Sequence, residues 1–327
     1  MISNLIAFIV FPGALFAVVL SVILVWMVRK FAARMENRVG PPFLQPLYDF
    51  SKLLAKERVY PGESQKYLLR FLPIFQFFIA LTMSFFLPVL TPEGLISFEG
   101  DVYFFIFLLG IHGSSAFFIG WLSNNPYGYS GSGRAVMIEL SLEIPLSLSI
   151  AGMAVISRSM RISTMTEYAA IHLFAFESLG SSLLLIPWLI LLVVSLISTL
   201  GALEYNPFSA GHAETEIVAG WMTELTGPDL ALVKLAEFLN LMNLSGLIAA
   251  IFLGGPPVFD LGASTWIVSF LGFIVKVMVV VFLLAFLKTV SGRMRVDQTT
   301  EGMWKYLLPI SAGGIILILL ILQYGGV

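Results

Sequence analysis

The sequence predicts an all-α polytopic membrane protein, with about eight transmembrane helices and an amphipathic cytoplasmic helix in the first loop. Three observations predict it. Of the 327 residues, 58% are hydrophobic and only 12% are charged; a soluble domain of this length carries about twice that share of charge. Eight apolar runs are each long enough to cross a bilayer. Between the first and second runs, apolar residues recur at the three- and four-residue spacing of a surface helix.

The runs fall near residues 5–28, 71–90, 102–122, 134–156, 180–203, 230–253, 263–287 and 306–324. The first is too long for the apolar core of a signal peptide and has no basic start, so it reads as the first membrane helix. No repeat, low-complexity tract or linker divides the chain, and residues 1–327 read as a single integral membrane domain. Lys and Arg set the orientation. Arg29, Lys30, Arg34, Arg38, Lys52, Lys56, Arg58, Lys66 and Arg70 lie around the first loop, and Lys288, Arg293, Arg295 and Lys305 lie around the last. Arg134 borders the third-to-fourth loop on the same side, while the other side has only Arg158 and Arg161. The basic side is therefore expected in the cytoplasm, in a cell membrane, with both termini outside. An acidic loop holding Glu204, Glu214, Glu216, Glu224 and Asp229, without Lys or Arg, falls on that basic side, and the two charged segments are expected to pair.

In the first loop, Leu44, Leu47, Phe50, Leu53 and Leu54 form the apolar face, and Asp49, Lys52, Lys56 and Glu57 occupy much of the rest. Pro41 and Pro42 block helix before it. Such a helix lies at the membrane interface, either as an anchor for the loop or as a docking platform for a cytoplasmic partner. The Gly-rich stretch NNPYGYSGSG, residues 124–133, lacks the Lys-Ser/Thr ending of a phosphate loop and is expected to be a turn-rich loop.

Composition excludes several chemistries. With no cysteine, the chain itself has no disulfide, thiol catalysis or cysteine-bound cluster. Its His112, His172 and His212 are too few and scattered for a His-rich metal site. A net charge of −2 implies no bulk attraction to nucleic acid. The charges inside the apolar runs carry the functional signal. One ionised Asp at the centre of a lipid-facing helix costs roughly 2.5–3.5 kcal/mol on insertion scales. Glu139 and Glu143 stand one turn apart on one helical face, followed by Pro145. Burial and mutual repulsion favour a neutral form of at least one, which suits proton exchange; a polar clamp to a neighbouring helix is the structural alternative. Lys234 and Glu237, three residues apart in the sixth run, can pair along the helix or serve only to neutralise each other. Lys276 either answers a carboxylate or snorkels. His112, among Gly110, Gly113, Ser114 and Ser115, reads as a core histidine at a close helix contact. Arg158, Arg161, Glu93, Glu99 and Asp101 read as solvated loop charge.

Four stretches resemble one known family. ARMENRVGPPFLQPLYDFSKLLAKE (33–57), GWLSNNPYGYSGSGRAVMIELSLEIP (120–145), EYNPFSAGHAETEIVAGWMTELTG (204–227) and RMRVDQTTEGMWKYLLP (293–309) look like corresponding segments of the NuoH family of respiratory complex I. The resemblance covers most of the chain, in order, with the same eight spans. The compact Arg38-Val39-Gly40-Pro41-Pro42 run looks more like the branch that includes the membrane-bound group 4 [NiFe] hydrogenases and a related sulfur-reducing complex. Ser209 stands where the quinone-reducing branch usually has an acid, and Gly211-His212 where it usually has Pro-Glu, which puts a quinone site in doubt.

The resemblance implies a non-catalytic membrane anchor and coupling subunit of an oxidoreductase complex, passing redox energy into proton or sodium movement. It implies proton-path carboxylates at Glu143, Glu214, Glu216 and Glu237; Glu139 and Lys234 join that path on the residue chemistry alone. Arg34, Arg38, Asp49 and Lys52 are the expected arm-docking residues. No cofactor is expected in this chain, with NiFe and iron–sulfur centres in partner subunits. The expected partners are a hydrogenase-like large subunit and an iron–sulfur small subunit of a peripheral arm, antiporter-like and small membrane subunits, and the lipid bilayer. The competing readings are the same role in a quinone-reducing complex and a stand-alone secondary transporter, which would often show repeated halves absent here.

Overall fold

In the computed structural model, residues 2–60, 62, 65–171, 179–257 and 265–324 are described, and the side chains of residues 2–5, 179–182, 214 and 265 lie outside that description. His172 and the expected span start at 263 also lie outside it. In chain order the helices are α1 (Ile2–Ile9), α2 (Ala14–Met35), α3 (Gln45–Leu54), α4 (Lys66–Ser84), α5 (Asp101–Leu122), α6 (Pro126–Ser157), α7 (Ile162–Ile171), α8 (Leu179–Ala202), α9 (Glu214–Ile217), α10 (Gly227–Ile251), α11 (Thr265–Val290), α12 (Val296–Gly302) and α13 (Leu308–Tyr324). Among the described residues, eight helical stretches are long and apolar enough to cross a membrane. The chain is thus an all-helical, multi-pass membrane protein. The first stretch, Ile6–Met35, is broken between α1 and α2 at Pro12-Gly13. The last runs through α12, one π-helical turn and α13.

The centre of the bundle is α10. Ala236, Leu239, Leu241, Ala249, Ala250 and Ile251 on it are fully buried, and it packs against α2, α4 and α11. Asn243 Nδ2 donates to the Ala80 carbonyl of α4 at 2.7 Å, which pins the pair within the apolar interior. Around that centre, α6 packs on α5, α8 and α13.

The Gly-rich stretch is not a loop. Asn125 caps α6 by accepting the Tyr127 N–H at 2.9 Å, Pro126 follows as the first helical residue, and the helix runs through the glycines. They are there for close packing: a Cβ on Gly131 would come within 2.6 Å of Gly220 Cα, and one on Gly128 within 2.3 Å of Ser123 Oγ. Asp101 is also not solvated charge. It is 1% exposed and accepts the Ile162 N–H at 2.8 Å, capping α7 at the end of the bundle opposite the basic loops. Of its expected companions, Arg158 is exposed and Arg161 half-buried. Among the described residues Lys276 answers no carboxylate; its ammonium donates to the Gly255 carbonyl at 2.7 Å, in the turn beyond α10.

The basic and acidic loops gather at one end. The Thr226 hydroxyl accepts from Val59 N–H at 2.8 Å and donates to the Val59 carbonyl at 3.0 Å. Tyr60 OH donates to buried Asp229 at 2.6 Å, and Arg58 Nε lies 3.4 Å from the other Asp229 oxygen. Arg134 bonds Glu216 at 2.6 Å, and Arg293 Nε donates to Ser209 Oγ at 3.1 Å. The expected pairing is therefore real at Arg58–Asp229, while the Glu216 partner comes from α6. The interface helix α3 is tied back to α2 by Arg29–Asp49 at 2.9 Å. Leu44, Leu47 and Leu54 remain exposed, as an interface helix requires.

Candidate functional site

Near the basic end, among α2, α4, α5, α6, α8, α10 and α11, lies a cavity of about 200 Å³. Its polar wall is unusual for a membrane domain. Glu139 comes from α6, Lys234 and Glu237 from α10, Arg29 from α2, Lys288 from α11, and Glu204 from the loop after α8. Lys234 Nζ bonds Glu237 at 3.0 Å along one helical turn. Lys288 Nζ sits 3.9 Å from the centre of the Tyr205 ring. Glu139 reaches the cavity because α5 has glycine opposite it: a Cβ on Gly113 would fall 1.4 Å from Glu139 Oε1. Gln76, His112 and Asn240 are buried residues of the same lining. Gln76 Oε1, His112 Nε2 and Asn240 Oδ1 have no hydrogen-bond partner among the described residues. Buried polar atoms are rarely left so, and ordered water is the usual remedy. At about 30 Å³ per water the cavity holds roughly six or seven.

The loop after α8 closes the cavity. Glu204 follows the helix end with φ +51, a left-handed conformation that turns its side chain back toward the bundle. Its carboxylate is ion-paired with His212 Nε2 and accepts Trp221 Nε1–H at 3.3 and 3.4 Å. The His212 and Trp221 rings lie 5.4 Å apart. Gly220, at φ +59, permits this close fold, since a Cβ there would meet the Gly211 carbonyl oxygen at 1.9 Å. Burial alone would push the Glu204 carboxyl up, but the His212 charge and the bonds from His212 and Trp221 bring it below the usual range. Burial alone would push His212 down, but the Glu204 carboxylate beside it raises it overall.

Of the expected path residues, Glu139, Lys234 and Glu237 meet at this cavity. Glu143 packs against the same helix one turn away: a Cβ on Gly110 would lie 2.7 Å from its Oε1. It is half-buried but does not line the cavity. Glu216 is exposed and held by Arg134, whose bond keeps its carboxyl below the usual range. The Glu214 side chain lies outside the described residues. Among the expected docking residues, Arg34, Arg38 and Lys52 are exposed, with Arg38 3.5 Å from Glu36. Asp49 is engaged within the chain by Arg29 and by Gln45 at 2.8 Å.

Sequence reasoning missed Glu204, Arg29, Lys288 and Gln76 as members of one wall, and His212 as the partner of Glu204. It also read His112 as core packing alone, whereas the residue is both 6% exposed and part of the lining. The usable signal was a carboxylate directly after an apolar span, followed within one loop by a histidine and a tryptophan. Among the described residues, no group of three or more His, Cys, Asp or Glu is disposed to hold a metal ion.

The family model described as NADH dehydrogenase matches residues 6–319. The chain is 32% identical to the H subunit of the NADH-quinone oxidoreductase of Bacteroides fragilis, over 95% of this chain and 89% of that one. It is 28% identical to the H subunit of the NADH-quinone oxidoreductase of Dehalococcoides mccartyi, over 92% of this chain and 82% of that one. It also matches a chain of the membrane-bound sulfane sulfur reductase, an archaeal respiratory membrane complex. That match has a TM-score of 0.82 and 25% identity, and covers 93% of this chain and 96% of that one.

Proposed function

The chain belongs to the NADH dehydrogenase (NuoH) family, as a NuoH-like membrane component of a complex I-like assembly; from that premise we propose that it anchors a peripheral electron-transfer arm and couples its redox chemistry to ion movement. The observation that carries this reading is the cavity where Glu139, Glu204 and Glu237 converge with Lys234 and His112 inside an apolar bundle. Carboxylates kept at such a depth are costly unless they move a charge. Proton exchange between them needs water-bridged reach, and the cavity is large enough to hold the water. Glu143 extends the set by one turn of α6, and Glu214 and Glu216 stand on the approach from the loop.

The exposed Arg34, Arg38 and Lys52 form the docking surface for the arm, with Asp49 holding α3 in position through Arg29. The arm comprises a hydrogenase-like large subunit and an iron–sulfur small subunit, which carry the NiFe and iron–sulfur centres. Antiporter-like and small membrane subunits complete the assembly. The basic end faces the cytoplasm, with both termini outside the cell membrane.

The hydrogenase or sulfur-reducing branch is favoured over the quinone-reducing one by Ser209 and His212. Ser209 is engaged with Asn206 and Arg293, and His212 with Glu204, so both positions of interest have partners within the chain. The span over 96% of the sulfane sulfur reductase chain agrees with that branch. The quinone-reducing reading is supported by the relatives from Bacteroides fragilis and Dehalococcoides mccartyi. Gentle purification with identification of co-purifying subunits tests the proposal. A nickel-binding large subunit is the hydrogenase outcome, and a related subunit lacking the nickel-binding cysteines is the sulfur-reducing one. Stoichiometric quinone, or potent inhibition by quinone-competitive compounds, favours the quinone reading, and recovery of the chain without any partner overturns all of these.

A further inference from the structure

A second recess, of about 420 Å³ and more open, lies on the other side of the loop after α8, lined by His212, Val218, Ala219, Met222, Leu230 and Lys234. Glu204 lines the inner cavity and His212 the outer recess, and the two are bonded to each other. The pair therefore stands on the partition between the two spaces. We infer that His212 and Glu204 form a proton inlet, His212 loading a proton from the outer recess and delivering it to Glu204 on the inner cavity. This rests on the coupling role proposed above.

The bonding pattern decides which nitrogen exchanges. His212 Nδ1 lies 3.4 Å from the Ala219 carbonyl, an oxygen that can only accept, so Nδ1 carries a hydrogen. Nε2, against the Glu204 carboxylate, is the nitrogen that gains and loses the proton. In the loaded state the imidazolium faces the carboxylate. Transfer of the Nε2 proton to Glu204 leaves a neutral ring with a lone pair on Nε2, and a carboxylic acid. Glu204 then gives that proton to water in the inner cavity, toward Glu139 and Glu237, and becomes a carboxylate again. The neutral ring keeps the Trp221 ring beside it and the long Nδ1 contact, which is weak at that distance. It turns outward, takes a proton on Nε2 from water in the recess, and is drawn back as imidazolium by the Glu204 charge.

The surroundings favour this cycle. His212 and Glu204 side chains are 24% and 21% exposed, enough for one side of the pair to meet water. The charges that bear on His212 are Glu204 from the α8 end, and Glu237 and Lys234 from α10. The packed face of α6 adds Glu139 across the cavity and Arg134, which is already bound to Glu216. Glu204 raises the affinity of His212 for a proton, and His212 lowers that of Glu204, so each favours the charged form of the other.

The test uses the intact complex in sealed vesicles, with redox-driven gradient formation followed from acid to alkaline pH. In the unaltered complex the rate falls as pH rises through the raised His212 value, because loading fails. His212→Gln keeps hydrogen bonding but cannot carry the proton; it should lower the rate by at least about tenfold and abolish that alkaline limb. His212→Glu, which exchanges a proton at lower pH, should restore part of the rate with the limb displaced toward acid. Full gradient formation with an unchanged limb in His212→Gln overturns the inlet. If that variant fails to assemble on a native gel, His212→Glu decides: an undisplaced limb overturns the inlet and a displaced one supports it. Glu237→Gln, measured alongside, separates the two ideas. Loss in Glu237→Gln with a normal His212→Gln removes only the inlet, whereas normal rates in both remove the coupling role on which it rests.

Discussion

Gly113→Ala puts a methyl carbon where Glu139 keeps its carboxylate. The new Cβ would fall 1.4 Å from Glu139 Oε1, whereas ordinary contact begins at 3.4 Å, so the carboxylate must withdraw by about 2 Å. The backbone need not move, because the obstacle is the end of a flexible side chain. Replacing a mid-helix glycine by alanine also favours the helix by about 0.5–1 kcal/mol, so the fold should persist. Function should not, since a misplacement of about 1 Å in a reacting group can cost roughly 100-fold. Gradient formation by the complex in vesicles should fall between about tenfold and 100-fold, with assembly on a native gel unchanged. Gly133→Ala is the matched control, because a Cβ there meets nothing within 4 Å. Full gradient formation in Gly113→Ala would refute the assignment of Glu139 to the relay.

Charge reversal at the exposed Arg34 and Arg38 should detach the peripheral arm while the membrane part still inserts, read by pull-down of the arm. Asp101→Ala should cost about 1 kcal/mol by uncapping α7, seen as faster amide exchange at Ile162 and its neighbours. The loop from Glu204 to Trp221 should be best protected in a window of intermediate pH. Glu204, held below its ordinary range, contributes stability above its unfolded value and loses it as pH falls through the folded one. His212, raised in the fold, contributes below its unfolded value and loses it as pH rises through the folded one. The protection of that loop, taken as exchange relative to the intrinsic rate at each pH, should therefore fall on both the acid and the alkaline side; a monotonic protection profile contradicts the ion pair.

The spans were legible because lipid imposes a length and a polarity that one apolar run reveals by itself. The interface helix α3 was legible from its apolar spacing, and the Lys234–Glu237 bond from a separation of one helical turn. What failed was reading that took a residue type for its usual environment. The glycines of 124–133 look like turn formers, but at Gly131 and Gly128 they serve close contact inside α6, and only the facing Gly220 and Ser123 reveal it. Asp101 opens a span, where a carboxylate is ordinarily wet, yet it caps a helix far along the chain, Ile162 being its partner. The site was legible in part: Glu139 and Glu237 stood out as charge within apolar runs. Glu204 and His212 did not, because a carboxylate and an imidazole in an irregular loop carry no periodicity. Their pairing depends on a left-handed turn at Glu204 and on the Gly211–Gly220 contact, which exist only in the tertiary fold.

The coupling role is tested most directly by Glu237→Gln and Glu143→Gln in the assembled complex. Gln retains the shape and most of the hydrogen bonding of Glu but has no exchangeable acid proton. Glu237 lines the cavity beside Lys234, and Glu143 stands one turn of α6 from Glu139. Glu139→Gln should lose less than Glu143→Gln, within the range given for Gly113→Ala, and Glu93→Gln, in the loop at the opposite end, should be near neutral. The measurement is the rate of pH or Na⁺ gradient formation in vesicles, normalised to complex that assembles on a native gel. Severe loss in Glu237→Gln and Glu143→Gln, with intact assembly and slowed electron transfer, is the predicted result. Undiminished gradients in both would leave the chain as a structural anchor and contradict the relay.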